Sequence, residues 1–186
     1  EKGALIMGKL RFLREKRFYR PLITVALPIT AQSFVAALLN MVDTVMVGGV
    51  GQEAIAAVGL ANQVFFLLHL IVFGVNSGAA IFTAQFWGTK DQTNIRRVLG
   101  LALLTGVTAA GIFTIIGLVL PETVLRFFTR DAEVVHLGAS YLRIVAASYI
   151  ITSVTFSYAL VLRTTGQVML PVWLGILGLL INTILN

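Results

Sequence analysis

The sequence contains no cysteine among its 186 residues, which excludes disulfide bonds and thiolate metal sites. Charged residues are also scarce, at 12% of the chain, whereas soluble domains carry about 25%. Hydrophobic residues make up 58% of the chain, and the mean hydropathy is +0.92. This combination is typical of membrane proteins rather than of soluble globular domains.

Long apolar runs predict an all-α, polytopic transmembrane helical bundle. A membrane-spanning helix requires about 20 largely apolar residues. Five segments meet this requirement, the last of them truncated, and we expect them to form one transmembrane lobe over residues 22–186. A short surface helix is also expected in the connection that contains "ETVLRFF". The predicted membrane helices are residues 22–47, 54–82, 98–120, 139–162 and 171–186.

Basic residues are concentrated before the first apolar run. Seven of the 14 Lys and Arg residues lie within residues 1–21, which we interpret as a basic N-terminal arm. With this arm in the cytoplasm, eleven basic residues lie inside and two or three outside, as the positive-inside rule requires. The net charge of +6 therefore indicates a membrane flank rather than nucleic-acid binding. The apolar run that follows is longer than that of a cleaved signal peptide.

One acid, Asp43, stands near the end of the first apolar run, just before "GGVGQE". At about 100° per residue, this acid shares an arc of about 80° with three other residues of the first helix. An ionised Asp within a bilayer costs about 2.5–3.5 kcal/mol, so it needs a partner, a cavity or a proton. We interpret Asp43 as a proton or cation site, and the alternative is a turn cap at the membrane surface. The four residues of this polar stripe are Gln32, Ala36, Asn40 and Asp43.

Three further features could serve such a site. Pro28 removes a backbone hydrogen bond from the first helix and predicts a hinge there, although many membrane helices tolerate proline without a role. The fourth span is rich in hydroxyls, among them Tyr141 and Thr152. The fifth span places Asn182 and Asn186 four residues apart, on one helix face. The alternative for the hydroxyls and amides is that they only join neighbouring helices.

Enzymatic machinery is not visible in the sequence. It contains no HExxH motif, no paired-carboxylate site and no Ser-His-Asp set. A lone histidine in the second span, His69, is interpreted as a packed or hydrogen-bonded residue rather than a ligand. We therefore expect neither an enzyme nor a metal site, and no cofactor other than a coupling ion.

Several motifs together resemble those of the multidrug and toxic compound extrusion (MATE) family, in its bacterial type. "LPIT" contains Pro28, fifteen residues before Asp43, and "VDTVMVGGVGQEAIAAVGLA" is similar to the family's first turn and second helix. "TAQFWGTKD", "LRTTGQVMLP" and "INTILN" follow in the family's order. The resemblance extends from about residue 20 to residue 186, and it depends on the order and spacing of the whole set.

This resemblance implies a two-lobe transporter of six plus six helices in the cell (inner) membrane. The chain, which begins with Glu1 and ends in an apolar stretch, is then expected to be most of an N-terminal lobe, with the C-terminal lobe as its partner. The function implied is efflux of small organic, mainly cationic, drugs in antiport with protons or sodium ions. Family members with two acids in this lobe carry an Asp where this sequence has Asn186, so a two-carboxylate site is not expected.

The resemblance also assigns the site. Asp43 is expected to bind the coupling cation, with Asn40, Tyr141, Asn182 and Asn186 orienting it. Pro28 is expected to act as the hinge of the first helix. We assign the lining of the substrate cavity to Gln32, Ala36 and Thr152.

Two alternatives remain open from the residues alone. A flippase for lipid-linked oligosaccharides, from the same superfamily, would handle anionic pyrophosphate groups and would collect basic residues in its cavity. Arg143 is the one candidate for such a contact in the apolar spans. A non-transporting membrane scaffold or receptor would not depend on Asp43 except for stability.

Overall fold

The computed structural model describes residues 16–49 and 51–185, without the side chains of residues 16–22, 25, 39, 43–47, 179 and 182–185. The described residues are helical with no strand, which confirms the predicted all-α class. The helices are α1 (Lys16–Gly48), α2 (Gln52–Gly88), α3 (Gln92–Val119), α4 (Pro121–Arg126), α5 (Ala132–Ala146), α6 (Tyr149–Thr164) and α7 (Met169–Leu185).

Two of these helices, α2 and α3, are each long and apolar enough to cross a membrane. The consecutive helices α5 and α6 meet the same criterion as one broken span, bent by 50°. Shorter apolar stretches occur in α1 at Ala26–Val42 and in α7 at Met169–Gly178. The apolar side chains that face outward on these helices fit a lipid environment rather than water.

The fourth predicted helix, 139–162, differs most from its expected form. Helix α5 begins seven residues earlier, at Ala132, and ends at Ala146, after which α6 begins at Tyr149. The two residues between them form a turn in which Ser148 Oγ donates to Val145 O at 2.7 Å. A serine that bonds a carbonyl of the preceding turn competes with the helical hydrogen bonds, which explains why the span bends there.

The connections follow ordinary capping chemistry. Gly51, which precedes α2, has a φ of 141°. Residues that carry a Cβ rarely adopt this backbone conformation. Asp91 caps α3, because its carboxylate accepts from the Asn94 backbone N at 3.1 Å and from Asn94 Nδ2 at 2.6 Å. These two hydrogen bonds hold the pKa of the Asp91 carboxyl below its ordinary value of 3.8.

The expected surface helix in "ETVLRFF" is present as α4, Pro121–Arg126. It begins with a proline at its first position, where the missing N–H has no helical partner in any case. Leu125 is buried and packs with Val135 and Ala139 of α5. The other face carries an exposed ion pair between Arg126 and Glu122, at 3.6 Å.

Contacts divide the chain into two compact units, Asn40–Thr165 and the described residues of Glu1–Leu39 with Gly166–Asn186. The larger unit contains α2 to α6, and its core forms where α2, α3, α5 and α6 meet. The smaller unit contains α7 and α1 as far as Leu39. The prediction of a single lobe over residues 22–186 stays a prediction. The buried core residues of the larger unit are Ala61, Val64, Leu68, Val72, Ala110, Leu142, Ala146 and Tyr149.

Candidate functional site

The predicted polar stripe of α1 makes a contact with α7 at Gln32. This side chain is half-buried, and its Nε2 donates to Pro171 O at 3.3 Å. A Cβ added to Gly175 would overlap the Gln32 carboxamide, so the glycine provides the room for the contact. Polar side chains that bond across apolar helices are a common means of fixing helix pairs in membranes. Gln32 therefore fixes which faces of α1 and α7 meet within the smaller unit.

The structure describes three of the other predicted residues of α1. Pro28 and Ala36 are half-buried and Asn40 is exposed. Helix α1 runs from Lys16 to Gly48 without a break at Pro28, and the hinge stays a prediction. The side chain of Asp43 lies outside the described residues.

The two amides of the fifth span are likewise only partly described by the structure. Asn182 is a residue of α7, but its side chain lies outside the described part of the chain. The whole of Asn186 also lies outside it. The grouping of these amides with Asp43 therefore stays a prediction.

The two predicted residues of the fourth span lie on opposite sides of its bend. Tyr141 belongs to α5, where it is half-buried and packs against the core of the larger unit. Thr152 belongs to α6, where it is half-buried and its Oγ1 donates to Ser148 O at 3.0 Å. The sequence-based expectation of one continuous helix did not anticipate this separation.

Helix α3 holds the bend through a direct contact. Thr114 Oγ1 donates to Ala146 O, the last carbonyl of α5, at 3.0 Å. One turn further along α3, Gly117 lies so close that an added Cβ would be 2.7 Å from Ala146 Cβ. The small residue allows the two backbones to approach, and the hydroxyl then supplies a partner for a carbonyl at the break.

Sequence reasoning missed a set of polar side chains that lie fully inside the larger unit. Asn76 and Thr83 of α2 and Ser157 of α6 each have 0% of their surface exposed, and Ser153 has 3%. Three of them carry an atom with no hydrogen-bond partner among the described residues: Asn76 Oδ1, Thr83 Oγ1 and Ser153 Oγ. The four-residue spacing of Tyr149, Ser153 and Ser157 was the available signal.

A small cleft opens between α2 and α6 beside these residues. We call it the α2–α6 cleft; its apolar lining is Phe65, Leu68, Val72 and Phe156, and its polar lining is His69, Tyr149, Thr152 and Ser153. The His69 ring packs edge-on against Phe156, with 5.1 Å between ring centroids, as expected for a packed histidine. Among the described residues, no three His, Cys, Asp or Glu side chains are grouped as a metal site would require.

Comparison with known proteins places this arrangement in a family. The MatE family model matches residues 28–186. The chain belongs to the MatE family. MatE proteins are membrane transporters rather than enzymes, which agrees with the apolar helices and with the resemblance seen in the sequence motifs.

Several MatE relatives carry multidrug resistance names. The probable multidrug resistance protein YoeA of Bacillus subtilis is 27% identical over 169 residues, which are 90% of this chain and 36% of that protein. The probable multidrug resistance protein NorM of Deinococcus radiodurans is 31% identical over 129 residues, 67% of this chain and 28% of that protein. The multidrug resistance protein PmpM of Pseudomonas aeruginosa is 27% identical over 180 residues, which are 95% of this chain and 37% of that protein. This chain thus spans about a third of the length of these relatives.

Proposed function

We propose that the MatE protein containing this chain is a secondary active multidrug efflux transporter, in which proton or sodium entry drives the export of organic, mainly cationic, compounds. The observation that carries the proposal is the family match over residues 28–186, together with relatives named for multidrug resistance. The proposal includes a second lobe of the same protein as the partner of this one, in the cell membrane, with the N-terminus in the cytoplasm.

Asp43 is the proposed coupling acid, with Asn40 and Tyr141 as neighbours. It is supported by the helical register of α1. Residue 43 follows Gln32 by eleven positions, a rotation that differs from full turns by only about 20°. The acid therefore recurs on the helix face that carries Gln32, and within the smaller unit Gln32 itself contacts α7.

The same periodicity supports the two amides of the fifth span. Residue 182 follows Gly175 on α7 by seven positions and returns to its face within about 20°, and Asn186 follows Asn182 by four positions in the sequence. In the proposed site, Asn182 and Asn186 supply oxygens toward the acid. A carboxylate and amide oxygens suit a hard cation such as sodium, and the same acid without a cation suits a proton.

Coupling in this proposal follows from the cost of a charge in an apolar environment. When Asp43 is discharged by a cation, the face of α1 that carries it changes its preferred surroundings, and the equilibrium between two packings of the helix shifts. Pro28 is the proposed hinge for that shift. Gln32, Ala36 and Thr152 are the proposed lining of the substrate cavity, and all three are half-buried. A cationic drug that competes with the ion for the acid completes the antiport.

The test uses the full-length protein in proteoliposomes that contain a fluorescent lipophilic cation. A pH gradient or a sodium gradient is imposed, and dye movement is followed in the wild type, Asp43→Asn and Glu53→Gln. Glu53 is an exposed acid in the first turn of α2, outside the proposed site, so it controls for the loss of one carboxylate.

We expect gradient-driven dye movement in the wild type and in Glu53→Gln, and its loss in Asp43→Asn. The gradient that drives movement names the ion. Full activity of Asp43→Asn would refute the role of that acid. A wild type that moves no dye under either gradient would refute cation-coupled drug efflux itself.

A further inference from the structure

The connection between α3 and α5 presents large apolar side chains on its surface. Phe127, directly after α4, has 88% of its surface exposed, and Val119 and Leu120 at the end of α3 have 67% and 51%. Helix α3 has 28 residues and is about 42 Å long, close to the thickness of a bilayer with its headgroups, about 40–45 Å. Its end therefore lies at the level of the lipid headgroups, where exposed aromatic and aliphatic side chains are stabilised by contact with lipid.

Basic side chains lie beside these apolar ones, around an open space between α4 and α5. We call it the α4–α5 cleft; its volume is about 500 Å³, and its lining includes Glu122, Arg126, Thr129, Arg130 and His136. This volume is within the usual range of sites for small ligands. Arg126 also lines a neighbouring groove together with Phe127. Arg126 therefore borders both the basic cleft and the exposed aromatic ring.

The charges around the cleft favour an anion. Among the described residues of its lining, two arginines and one histidine are accompanied by a single carboxylate, that of Glu122. Glu122 lies 3.6 Å from Arg126, but both side chains are exposed, and ion pairs of this kind are weak. Two further acids, Asp131 and Glu133, are outside the lining, and the Asp131 carboxylate accepts from backbone N–H groups at the start of α5. The cleft therefore has an excess of positive charge.

The polar groups of the lining are hydrogen-bond donors that suit a phosphate. The guanidinium group of an arginine can donate two parallel hydrogen bonds to phosphate oxygens. Thr129 Oγ1 accepts from the Asp131 backbone N at 3.2 Å, so its O–H can donate to a ligand. His136 has a ring N–H in either of its neutral forms. A phospholipid carries its phosphate at the depth where α3 ends, with acyl chains that reach the apolar side chains beside the cleft.

We propose that the α4–α5 cleft binds the phosphate of a membrane phospholipid. Arg126 and Arg130 are its main ligands, with Thr129 and His136 as further donors. Phe127 packs against the acyl chains of the bound lipid, which a free phosphate ion does not have. The lipid holds α4 at the membrane surface and fixes the connection between the third and fourth spans. This inference concerns the larger unit alone and does not depend on the proposed transport function.

The test identifies the lipids that contact position 127 in the full-length protein. The photoreactive amino acid p-benzoylphenylalanine replaces Phe127 and keeps an aromatic ring there. The protein is placed in nanodiscs that contain equal amounts of phosphatidylglycerol and of digalactosyldiacylglycerol, a lipid without phosphate. Illumination couples the side chain to the lipids beside it, and mass spectrometry of the adducts gives the ratio of the two lipids.

We expect phosphatidylglycerol to exceed the phosphate-free lipid among the adducts by about two- to fivefold, the preference that one exposed charge pair supplies. In Arg126→Gln/Arg130→Gln the adducts should instead match the composition of the membrane. Arg96→Gln/Arg97→Gln is the matched control, because it removes two exposed arginines at the other end of α3, outside the cleft, and should keep the original preference.

Three results of the crosslinking would overturn the proposal. They are a lack of lipid adducts at position 127, the same lipid ratio with and without Arg126 and Arg130, and loss of the preference in the control as well. A second arm tests free phosphate as the ligand, through the melting temperature in detergent with inorganic phosphate and with sodium chloride of equal ionic strength. We expect phosphate to act equally on the wild type and on Arg126→Gln/Arg130→Gln. A larger rise in the wild type would identify free phosphate as the ligand and overturn the assignment to a lipid.

Discussion

Substitution of Gly117 by alanine should weaken the packing of α3 against the bend of the fourth span. The new Cβ would lie 2.7 Å from Ala146 Cβ and 3.7 Å from Leu142 Cγ. Carbon atoms pack at about 3.5–4.0 Å, so the first of these contacts is about 1 Å too short. Ala146 is fully buried and its Cβ has no torsion by which to move aside, so the helices themselves must separate.

The expected magnitude is the difference between two effects. Overpacking of a well-packed core costs about 1–3 kcal/mol. Alanine in place of glycine within a helix returns about 1 kcal/mol through its higher propensity. Because Ala146 cannot move aside, the cost of overpacking should lie in the upper part of its range. We therefore expect the free energy of unfolding of Gly117→Ala to fall by about 1–2 kcal/mol.

The assay is reversible unfolding of the full-length protein in mixed micelles, with two further variants. Gly111→Ala is the control on the same helix, since an added Cβ there has no heavy atom within 4 Å. It should be as stable as the wild type or up to about 1 kcal/mol more stable. Ala146→Gly in the Gly117→Ala background removes the overlapping atom, so the two changes should be non-additive by about 1 kcal/mol.

Two results would refute this reasoning. One is equal stability of Gly117→Ala and Gly111→Ala, which would mean that α3 and α5 do not approach closely at this point. The other is additive behaviour of Gly117→Ala and Ala146→Gly, which would place the cost elsewhere than in this pair.

Three further predictions concern single contacts. Thr114→Val should destabilise the protein by about 0.5–1.5 kcal/mol, measured by the same unfolding assay, because Ala146 O loses its hydrogen bond. Gly175→Ala should be less stable than Gly178→Ala by about 0.5–1.5 kcal/mol, because the Gln32 carboxamide must move and lose its hydrogen bond to Pro171 O, and this difference should disappear in a Gln32→Ala background. Asp91→Ala should loosen the start of α3 and lower the melting temperature. Since the folded state lowers the pKa of Asp91, its contribution is fully present above pH 3.8, and the difference from the wild type should shrink as the pH falls below that value.

Each of these has a matched comparison. Thr108→Val on α3 should cost less than Thr114→Val, because Thr108 is exposed and donates only within its own helix, to Leu104 O at 2.8 Å. Gly178→Ala should be neutral or stabilising, since no heavy atom lies within 4 Å of an added Cβ. The opposite order within either pair would contradict the contact concerned. A difference between wild type and Asp91→Ala that grows on acidification would contradict the assigned cap.

Much of the fold could be predicted from local sequence, because a bilayer requires every spanning segment to bury its backbone groups in a helix. Apolar runs alone located the second and third spans, and the motif order led to the family that comparison then showed. The short helix in "ETVLRFF" was also predictable, because its apolar residues recur with helical spacing.

The bend in the fourth span could not be predicted in this way. Residues 139–162 are apolar enough on average to predict one helix, although the stretch is rich in hydroxyls. A hydropathy average does not record whether a hydroxyl bonds a carbonyl of the previous turn. The bend also depends on Thr114 and Gly117, which lie some thirty positions earlier in the chain.

The sequence by itself determined that this chain is a helical membrane protein of the MatE type, because hydropathy, charge asymmetry and motif order are properties of single segments. Only the tertiary structure decided which polar groups are inside. In the sequence, nothing marks Tyr149, Ser153 and Asn76 as buried residues, although the structure buries all three. Whether such a side chain faces lipid, a cavity or a neighbouring helix depends on the rotation of each helix against the others. That rotation is set by close contacts between distant residues, such as Gly117 with Ala146 and Gln32 with Gly175, which no single segment encodes.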